Sequence, residues 1–381
     1  MQSPWDIIIV GGGLSGLALA VELAEPQFSH LKVLVLERRK QFCRDRTWSY
    51  WATSPHRYSH LERHRWQHWR VSHNGESHQQ TSTRPYCSID ADVFYRHAVQ
   101  AIAACSHVEL RLGVEVVGLS DSLPAQVTTA NSQGVEVLRA HWVMDARPQG
   151  SDNKGVLAQH FEGWELEAEV DCFDPSAVDL MDFQQSDSGL HFFYVLPYSA
   201  RCALVETTWI SRFAGPLDYG DQMTRYLARR WPNTNFKTVY QERGVLNLQT
   251  PASTRHARII PLGRNAGTLR PSTGYAFLNT LADAGTLASA ISCSDLTHRD
   301  TALPVFKTAR IDHWMDKVFL QAIASNPHSA PGYFMAMFKG VEPVALTNFL
   351  SGMATPLQRA HLIRNLPKIE FLQAAWKTFS K

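Results

Sequence analysis

The N-terminal stretch, residues 5–20, constrains the fold more than any other part of the chain. A run of β-branched residues at 7–10 is followed at once by the pattern Gly11-x-Gly13-x-x-Gly16 and then by small apolar residues. This order predicts a strand, a tight turn and a helix whose free N–H groups face an anion. Gly11 permits the turn, Gly13 lets the backbone approach a pyrophosphate, and Gly16 allows close packing of helix on strand.

A carboxylate after the next apolar run strengthens the prediction of a dinucleotide site. Residues 32–36 are followed by Glu37, about twenty residues beyond the last glycine, where an acid accepts hydrogen bonds from ribose hydroxyls. Leu14 and Ser15, at the start of the helix, belong to the same predicted site. A glycine-rich turn without a ligand is the alternative. The nucleotide is left open between FAD, whose proteins often begin this way, and NAD.

The composition is that of an ordered globular protein. With 381 residues, 44% of them hydrophobic, the chain can bury a large core in one elaborated domain or two. A formal net charge of +2 argues against a dedicated nucleic-acid binder. The six cysteines form no C-x-x-C pair, which argues against a zinc ribbon or a disulfide framework and favours a reducing cytoplasm. Neither a membrane-spanning helix nor an export signal is expected.

Residues 38–51 are predicted to form a loop near the nucleotide. Arg44 or Arg46 would offer positive charge to the pyrophosphate. An apolar ligand would be walled by three aromatic residues, Trp48, Tyr50 and Trp51. The alternative is an aromatic surface loop with no ligand.

Residues 56–78 are rich in histidine. His60, His64 and His68 have the i, i+4 spacing of a helix face, which would suit a metal ion. No acidic or cysteine ligand accompanies them at a recognisable interval, and the intervening arginines would repel a cation. We therefore expect no metal here, and interpret the stretch as a solvated or partly membrane-facing polar surface.

The following segments are predicted to complete the nucleotide-binding fold. Residues 91–105 have the pattern of an amphipathic helix, with four residues on one face: Val93, Ala98, Ile102 and Ala103. Three segments then alternate as in an antiparallel meander: residues 108–119, 125–129 and 135–138. A strand that ends on Asp145 is expected to return beneath the cofactor.

Residues 161–209 are predicted to form a second sheet inserted in the nucleotide-binding domain. Alternation along the last strand places Glu206 on one face with its apolar neighbour Leu204. Acids are depleted in strands and costly to bury, so this carboxylate is a candidate for function. The alternative is a carboxylate on the exposed face of a one-sided sheet.

A second glycine-bearing turn lies in residues 258–290. A strand runs into Gly263 and Gly267, and Gly274 precedes a long helix of small and apolar residues. The free N–H groups at the start of this helix would face a flavin ring or ribityl-phosphate arm. Two such turns so far apart in the chain suggest one long ligand, which FAD is.

The tail, residues 306–381, is predicted to be helical and aromatic. It would either pack as a cap on the core or supply side chains to a hydrophobic tunnel or a bilayer surface. Six residues are candidates for the second role: Phe334, Met335, Met337, Phe338, Phe349 and Leu350.

Taken together, these motifs resemble those of the FAD-dependent lycopene cyclases of carotenoid synthesis. The matching stretches are V-G-G-G-L-S-G-L at the start, R-T-W-S-Y after Glu37, Y-C-S-I at 86, Y-V-L-P-Y-S at 194, L-V-E-T-T at 204 and G-R-N-A-G-T-L-R-P-S-T-G-Y at 263. L-V-E-T-T is similar to the family's acidic catalytic motif, which implies that Glu206 is catalytic. Thr207 stands where the family usually has a second acid. Trp48, Tyr194 and Tyr275 lie in the matching stretches and are expected to contact the substrate.

The resemblance implies an α/β protein with a Rossmann-like FAD-binding fold, an inserted antiparallel-sheet substrate subdomain and a helical C-terminal cap. The FAD-binding domain would span residues 1–300, with the insert at roughly 160–250, and the cap would span 301–381. It also implies a peripheral protein of the cytoplasmic, inner face of the cell membrane, since its substrate dissolves only in lipid.

The implied reaction is an isomerisation. A ψ-end of lycopene is protonated, the C5–C6 double bond attacks the cation, and loss of a proton closes a β-ionone ring, giving γ-carotene and then β-carotene. Reduced FAD is required, with NAD(P)H as electron donor, and Glu206 is the acid or, if ionised, the cation stabiliser or final base. The alternatives are a redox flavoenzyme of the same fold (a monooxygenase, halogenase or prenyl reductase) and a flavin or carotenoid carrier without activity.

Overall fold

The computed structural model describes residues 4–131, 134–148, 157–212, 215, 217–249, 257–298, 301–304 and 309–379. In chain order the strands are β1 (Trp5–Val10), β2 (Val33–Glu37), β3 (Thr47–Trp51), β4 (His64–His73), β5 (Glu76–Asp90), β6 (Val108–Leu112), β7 (Glu115–Ser120), β8 (Ala125–Asn131), β9 (Gly134–Asp145), β10 (Leu157–Ala168), β11 (Ala177–Gln184), β12 (Leu190–Pro197), β13 (Cys202–Arg212), β14 (Phe236–Asn247) and β15 (Ile259–Pro261). The α-helices are α1 (Leu14–Leu23), α2 (Ala91–Ala103), α3 (Tyr219–Arg230), α4 (Phe277–Ser292), α5 (Arg310–Ser325), α6 (Ala330–Gly340), α7 (Pro343–Leu350), α8 (Pro356–Asn365) and α9 (Lys368–Phe379).

The first sheet has the N-terminal strand near its centre. Its order is β6-β2-β1-β9-β8-β7, with β15 paired to β9. β1 runs parallel to β2 and β9, and β9, β8 and β7 form an antiparallel meander. The predicted meander is thus confirmed for its later segments. The first predicted segment, residues 108–119, divides into two strands: its second half, β7, belongs to the meander, whereas its first half, β6, follows the crossover helix α2 and pairs parallel with β2.

The second sheet has the order β14-β10-β13-β12-β11-β4-β5-β3. The predicted loop at residues 38–51 is wrong at its end, since Thr47–Trp51 forms β3 and pairs antiparallel with β5. Small hydroxyl residues alternate here with aromatic ones, and aromatic side chains suit a pleated surface better than a loop. The helical spacing of the histidines is also misleading, because His64 and His68 lie on β4. Among the described residues, no three His, Cys, Asp or Glu side chains come together as a metal site requires.

Both faces of β1 and β2 are buried, which explains their continuous apolar runs. Ile7 and Ile9 of β1 pack against α1, α2 and α4, while Ile8 and Val10 pack against the meander. The inner face of α2 consists of Ala91, Phe94, Tyr95, Ala98 and Ile102. The predicted face is therefore right for Ala98 and Ile102 and wrong for Val93 and Ala103, because the aromatic side chains at 94 and 95 occupy the inner surface.

The described part of the tail is mostly helical, as predicted, with helices α5 to α9 joined by short turns. Helices α5 to α9 share one core with the second sheet, in which Phe334 and Phe338 join Trp66 and Trp69. None of the helices in the described residues is both long and apolar enough to cross a membrane. The division into residues 1–300 and 301–381 stays a prediction.

Candidate active site

A cavity of about 840 Å³ is lined by both sheets and by the helices of the tail. Its nucleotide part is lined by Gly11, Gly13, Leu14, Ser15, Glu37, Arg39 and Arg46. Its polar part is lined by Trp48, Tyr86, Tyr194, Glu206, Glu242 and Tyr275. Its apolar part is lined from the tail by Phe319, Phe334, Met337, Phe338, Phe349 and Leu350. Met335, also a candidate, is buried in the core beside this part.

The first turn presents an open helix N-terminus to the cavity. Helix α1 begins after Gly13, and no side chain of the described residues caps it. A Cβ on Gly13 would meet nothing within 4 Å, whereas a Cβ on Gly16 would lie 1.9 Å from the carbonyl oxygen of Gly11. Gly13 therefore leaves room for a ligand, and Gly16 is required by the packing of the turn on the helix. The N–H groups of the first helical turn are placed to bind a phosphate.

Glu37 lies at the end of β2 and is hydrogen-bonded to the first glycine turn. Its Oε2 accepts a hydrogen bond from the backbone N–H of Gly12 at 2.6 Å, and its Oε1 accepts one from the backbone N–H of Arg39 at 2.7 Å. Burial raises the pKa of Glu37, but the hydrogen bonds from Arg39 and Gly12 outweigh burial and lower the pKa overall. The carboxylate is therefore ionised at neutral pH. Arg39 was not identified from the sequence, although it follows the strand-end acid by two positions.

The other charged candidates of the nucleotide part have partners of their own. Arg46 lines the cavity and forms an ion pair with Asp45 at 3.2 Å. Asp145 lies at the end of β9, where its carboxylate accepts hydrogen bonds from Arg147, and it is Arg147 that lines the cavity. Arg44, the alternative to Arg46, pairs instead with Glu165 at 2.6 Å.

The two glycine turns are in contact. Gly263 has a φ of 57°, and a Cβ there would lie 2.1 Å from the hydroxyl oxygen of Ser15, at the start of α1. Gly267 (φ 78°) ends the short helical turn after β15, and Gly274 (φ 71°) lines the cavity. Because the turns meet, one elongated dinucleotide can contact both.

Glu206 projects from β13 into the polar part of the cavity and is only 8% exposed. Its Oε1 accepts a hydrogen bond from the hydroxyl of Thr208 at 2.5 Å. Burial, with the nearby carboxyl of Glu242, raises the pKa of Glu206 to about 8. Thr207 faces the opposite side of the sheet, where its hydroxyl lies 2.9 Å from His191 Nε2. A protonated carboxyl group is therefore available at neutral pH inside the cavity.

Glu242, on β14, is a second buried carboxyl in the same cavity, and sequence reasoning missed it. It is 6% exposed, and its Oε2 accepts hydrogen bonds from Tyr240 at 3.0 Å and Thr47 at 3.1 Å. Burial raises the pKa of Glu242 despite these two bonds. Its strand reads F-K-T-V-Y-Q-E-R-G, mostly polar, so no contrast with apolar neighbours marks this acid.

Three tyrosines form a cluster beside Glu206. Tyr194 is in register with Glu206 on the neighbouring strand, and its hydroxyl donates to that of Tyr86 at 2.9 Å. The hydroxyl of Tyr275 donates to Tyr86 at 3.3 Å. Burial raises the pKa of all three phenols, so they are neutral. Trp48 packs edge-on against Phe94 and also lines the cavity. The three predicted substrate contacts, Trp48, Tyr194 and Tyr275, thus lie around one space.

These features define the class of fold to which the protein belongs, the Rossmann-like FAD-binding fold. The fold is similar to that of a geranylgeranyl bacteriochlorophyll reductase-like protein from Thermoplasma acidophilum, with 12% identity and a TM-score of 0.65 over 97% of this chain and 98% of that one. It is similar to p-nitrophenol 4-monooxygenase from Pseudomonas putida DLL-E4, with 15% identity and a TM-score of 0.61 over 97% and 99%. Aklavinone-11 hydroxylase, solved with FAD and aklavinone, matches at 15% identity and a TM-score of 0.57 over 77% and 63%. At these identities the likeness shows the fold alone.

The family itself is given by sequence. The family model described as lycopene cyclase protein matches residues 6–376, nearly the whole chain. The chain therefore belongs to the lycopene cyclase family. No curated protein sequence matches it significantly.

Proposed function

We propose that this protein is a lycopene β-cyclase that binds FAD and closes the ψ-end groups of lycopene to β-ionone rings without net oxidation or reduction. The observation that carries the proposal is the position of Glu206. A buried carboxyl that keeps its proton at neutral pH lines one cavity with two glycine turns and with an apolar surface. NAD(P)H would serve only to keep the cofactor reduced.

The residues of the nucleotide part fit FAD. The uncapped start of α1 suits the pyrophosphate, the open space at Gly13 admits its close approach, and Glu37 suits the adenosine ribose. The second turn, with Gly274, would face the flavin. Reduced FAD, when bound, would supply negative charge beside the substrate cation, and one unit charge about 4 Å away contributes on the order of 4 kcal/mol at an effective dielectric of about 20.

The chain's own residues account for the proton and for the shape of the site. Glu206 would donate its proton to the terminal double bond of the ψ-end, which forms a C–H bond and leaves a tertiary cation. The aromatic rings of Tyr194 and Tyr275, which line the same cavity, would stabilise that cation by about 0.5–2 kcal/mol each. After ring closure a carboxylate would take the proton from the ring, and the C–H electron pair would become the new double bond. The apolar part would hold the polyene and exclude water.

The test is cyclisation by the purified protein. Loaded with FAD, chemically reduced and given lycopene in liposomes, it should form β-carotene of unchanged mass, and in D₂O the product should gain deuterium. Glu206→Gln should retain the flavin spectrum and lose activity by about a hundredfold or more, because it can neither donate a proton nor carry charge. Substrate-dependent consumption of NAD(P)H, or a near wild-type rate in Glu206→Gln, would contradict the proposal.

We further propose that the protein works on the inner face of the cell membrane, attached through α8 and α9. These helices expose large apolar side chains: Leu357, Ile363, Ile369, Leu372 and Trp376 are each more than half exposed. Arg364, Lys368 and Lys377 lie among them. The inner side of α9 packs on α5, one of the helices that line the apolar part of the cavity. The ring centres of Phe371 and Phe319 are 5.8 Å apart. An apolar face with cations, backed by the apolar part of the cavity, suits a lipid surface that delivers lycopene.

A further inference from the structure

Glu206 and Glu242 face each other across a single strand. Gly163 of β10 is in register with Glu206 of β13 on one side and with Glu242 of β14 on the other. Residues in register across neighbouring strands point to the same face of a sheet. The two carboxyl groups therefore project side by side into the cavity that both of them line.

The residue between the two acids is Gly163, and glycine is the one residue type that leaves the space between their side chains open. A Cβ on Gly163 would lie 3.2 Å from Cγ of Glu242 and 3.7 Å from Cβ of Glu206. Any larger side chain would separate the two acids. Glycine weakens a strand interior, so its presence at this position matches a close approach of the neighbouring groups rather than a need of the strand.

The charges around the pair come from several elements. Glu242 is faced by Tyr240 of its own strand, by Thr47 of β3, and more distantly by Arg44 and Asp90. Glu206 is faced by Glu242, Thr208 and Tyr194. Arg44 forms ion pairs with Asp90 and Glu165. No cation of the described residues forms an ion pair with either carboxyl of the pair, so two negative charges here would be poorly compensated.

We propose that Glu206 and Glu242 act as one carboxyl pair that holds a single shared proton in the resting protein, with Glu242 acting through Glu206. The inference deepens the proposed function and rests on it for the chemical step. Glu206 gives the proton to the inner carbon of the terminal double bond, so the cation forms on the outer, tertiary carbon and the pair is left with two negative charges beside it. The pair then takes one proton from the closed ring, as the C–H electrons form the ring double bond, and returns to its resting state. No proton or electron is gained or lost over the cycle.

Two buried carboxyls at close range titrate as a pair, because the first to ionise opposes the second. The raised pKa of Glu206, caused by burial and then by Glu242, is in line with such a pair. The acid that ionises second carries the shift, because it must lose its proton beside a charge, so removing Glu242 should lower the pKa of Glu206.

The first measurement needs neither lycopene nor activity. Infrared difference spectra of the FAD-loaded protein are recorded against pH, and the protonated carboxyl band that disappears in Glu206→Gln is assigned to Glu206. In Glu242→Gln this band should titrate about one pH unit or more lower than in wild type. In Glu206→Gln the band of Glu242 should move by much less, because Glu242 loses its proton first, while Glu206 is still neutral. Glu242→Met, which has a similar size and no charge, serves if Glu242→Gln does not fold. Glu242→Asp, which keeps the charge, should keep most of the coupling.

The second measurement is the pH profile of cyclisation. Because Glu206 must be protonated to react, activity falls as the pH rises through its pKa, and in Glu242→Gln this alkaline limb should move to lower pH by about one unit or more. Activity lost at neutral pH should then return on acidification, which a merely structural role would not produce. Glu162→Gln is the matched control, since Glu162 is equally buried on β10, precedes Gly163 and faces the other side of the sheet. Its profile should keep the wild-type limb.

The outcomes separate the two proposals. If the titration of Glu206 is unchanged in Glu242→Gln, the carboxyls are independent and the pair is wrong. If that titration shifts as expected but wild type forms no cyclic product with reduced FAD, the pair stands and the proposed function fails.

Discussion

The glycines of the first turn differ in what a side chain would meet, and substitution should separate their roles. Gly13→Val should fold but bind FAD at least about tenfold more weakly, because its side chain would enter the open space in front of α1. Gly16→Ala should instead lower stability, because its Cβ would overlap the carbonyl oxygen of Gly11. Flavin absorbance after gel filtration measures the first effect, and the urea midpoint of unfolding measures the second.

The opposite pattern would count against the cofactor assignment. A Gly13→Val protein that retains a full flavin spectrum would show that the pyrophosphate does not approach this turn. A Gly16→Ala protein with a wild-type urea midpoint would show that the helix has room to shift.

At the residue scale, the sequence shows a site residue when its role depends on near neighbours in the chain. Glu37 stands at the end of an apolar run, and Glu206 interrupts one, so both could be predicted. Glu242 acquires its role from Gly163, on a strand that pairs with its own only in the folded sheet. Register across strands is set by turns and tertiary packing, and no local pattern around Glu242 records it.

At the scale of elements, a buried ion pair ties the second glycine turn to α5. Arg270 Nε lies 3.2 Å from Asp316 Oδ1, and the two side chains are 3% and 1% exposed. Ser272 also donates a hydrogen bond to this carboxylate at 2.6 Å, and the Arg270 guanidinium lies 4.5 Å from the ring centre of Phe349. The turn that carries Gly274 is thus fixed against the helices that line the apolar part of the cavity.

Removing only one partner of this ion pair should lower the free energy of unfolding. Asp316→Ala would leave the charge of Arg270 buried without its partner, and we expect a loss of about 3–5 kcal/mol of stability, measured by urea unfolding. Asp221→Ala removes an exposed i, i+4 pair with Arg225 and is the control, with an expected change of about 0.5 kcal/mol or less. Equal midpoints for the two variants would mean that water or a rearranged side chain compensates Arg270.

Helices and strands could be predicted where the apolar pattern of the sequence extends over many residues. Their type was ambiguous where that pattern is short. The strand β1 with helix α1 could be predicted because an apolar run, a glycine turn and a second apolar run follow in order. The strand β3 has only five residues, and the polar residues that precede it gave the whole stretch the character of a loop. Its pairing with β5, which decides the matter, is a tertiary contact.

At the scale of the whole molecule, the cavity lies where two sheets and a helical layer meet. The apolar periodicity of α5, α6 and α7 predicts helices with a buried face, but such a face has the same pattern whether it packs on a sheet or lines a tunnel. Phe338 contributes to the core and to the cavity at once. The helical tail could therefore be predicted from the sequence, whereas which of its side chains line the cavity could not.

The exposed face of α8 and α9 gives the last prediction. Ile369, Leu372 and Trp376 follow one another at helical spacing and are 71%, 70% and 76% exposed. Burying a large apolar side chain in a bilayer surface contributes about 1.5–3 kcal/mol. The double substitution Leu372→Ser and Trp376→Ser should therefore weaken co-sedimentation with anionic liposomes by about a hundredfold or more, at an unchanged flavin content.

Val135→Ser with Val137→Ser is the matched control, since these residues of β9 are 72% and 54% exposed on the first sheet, and it should leave binding unchanged. Equal loss in both variants would mean that general surface hydrophobicity, and not this face, holds the protein to lipid.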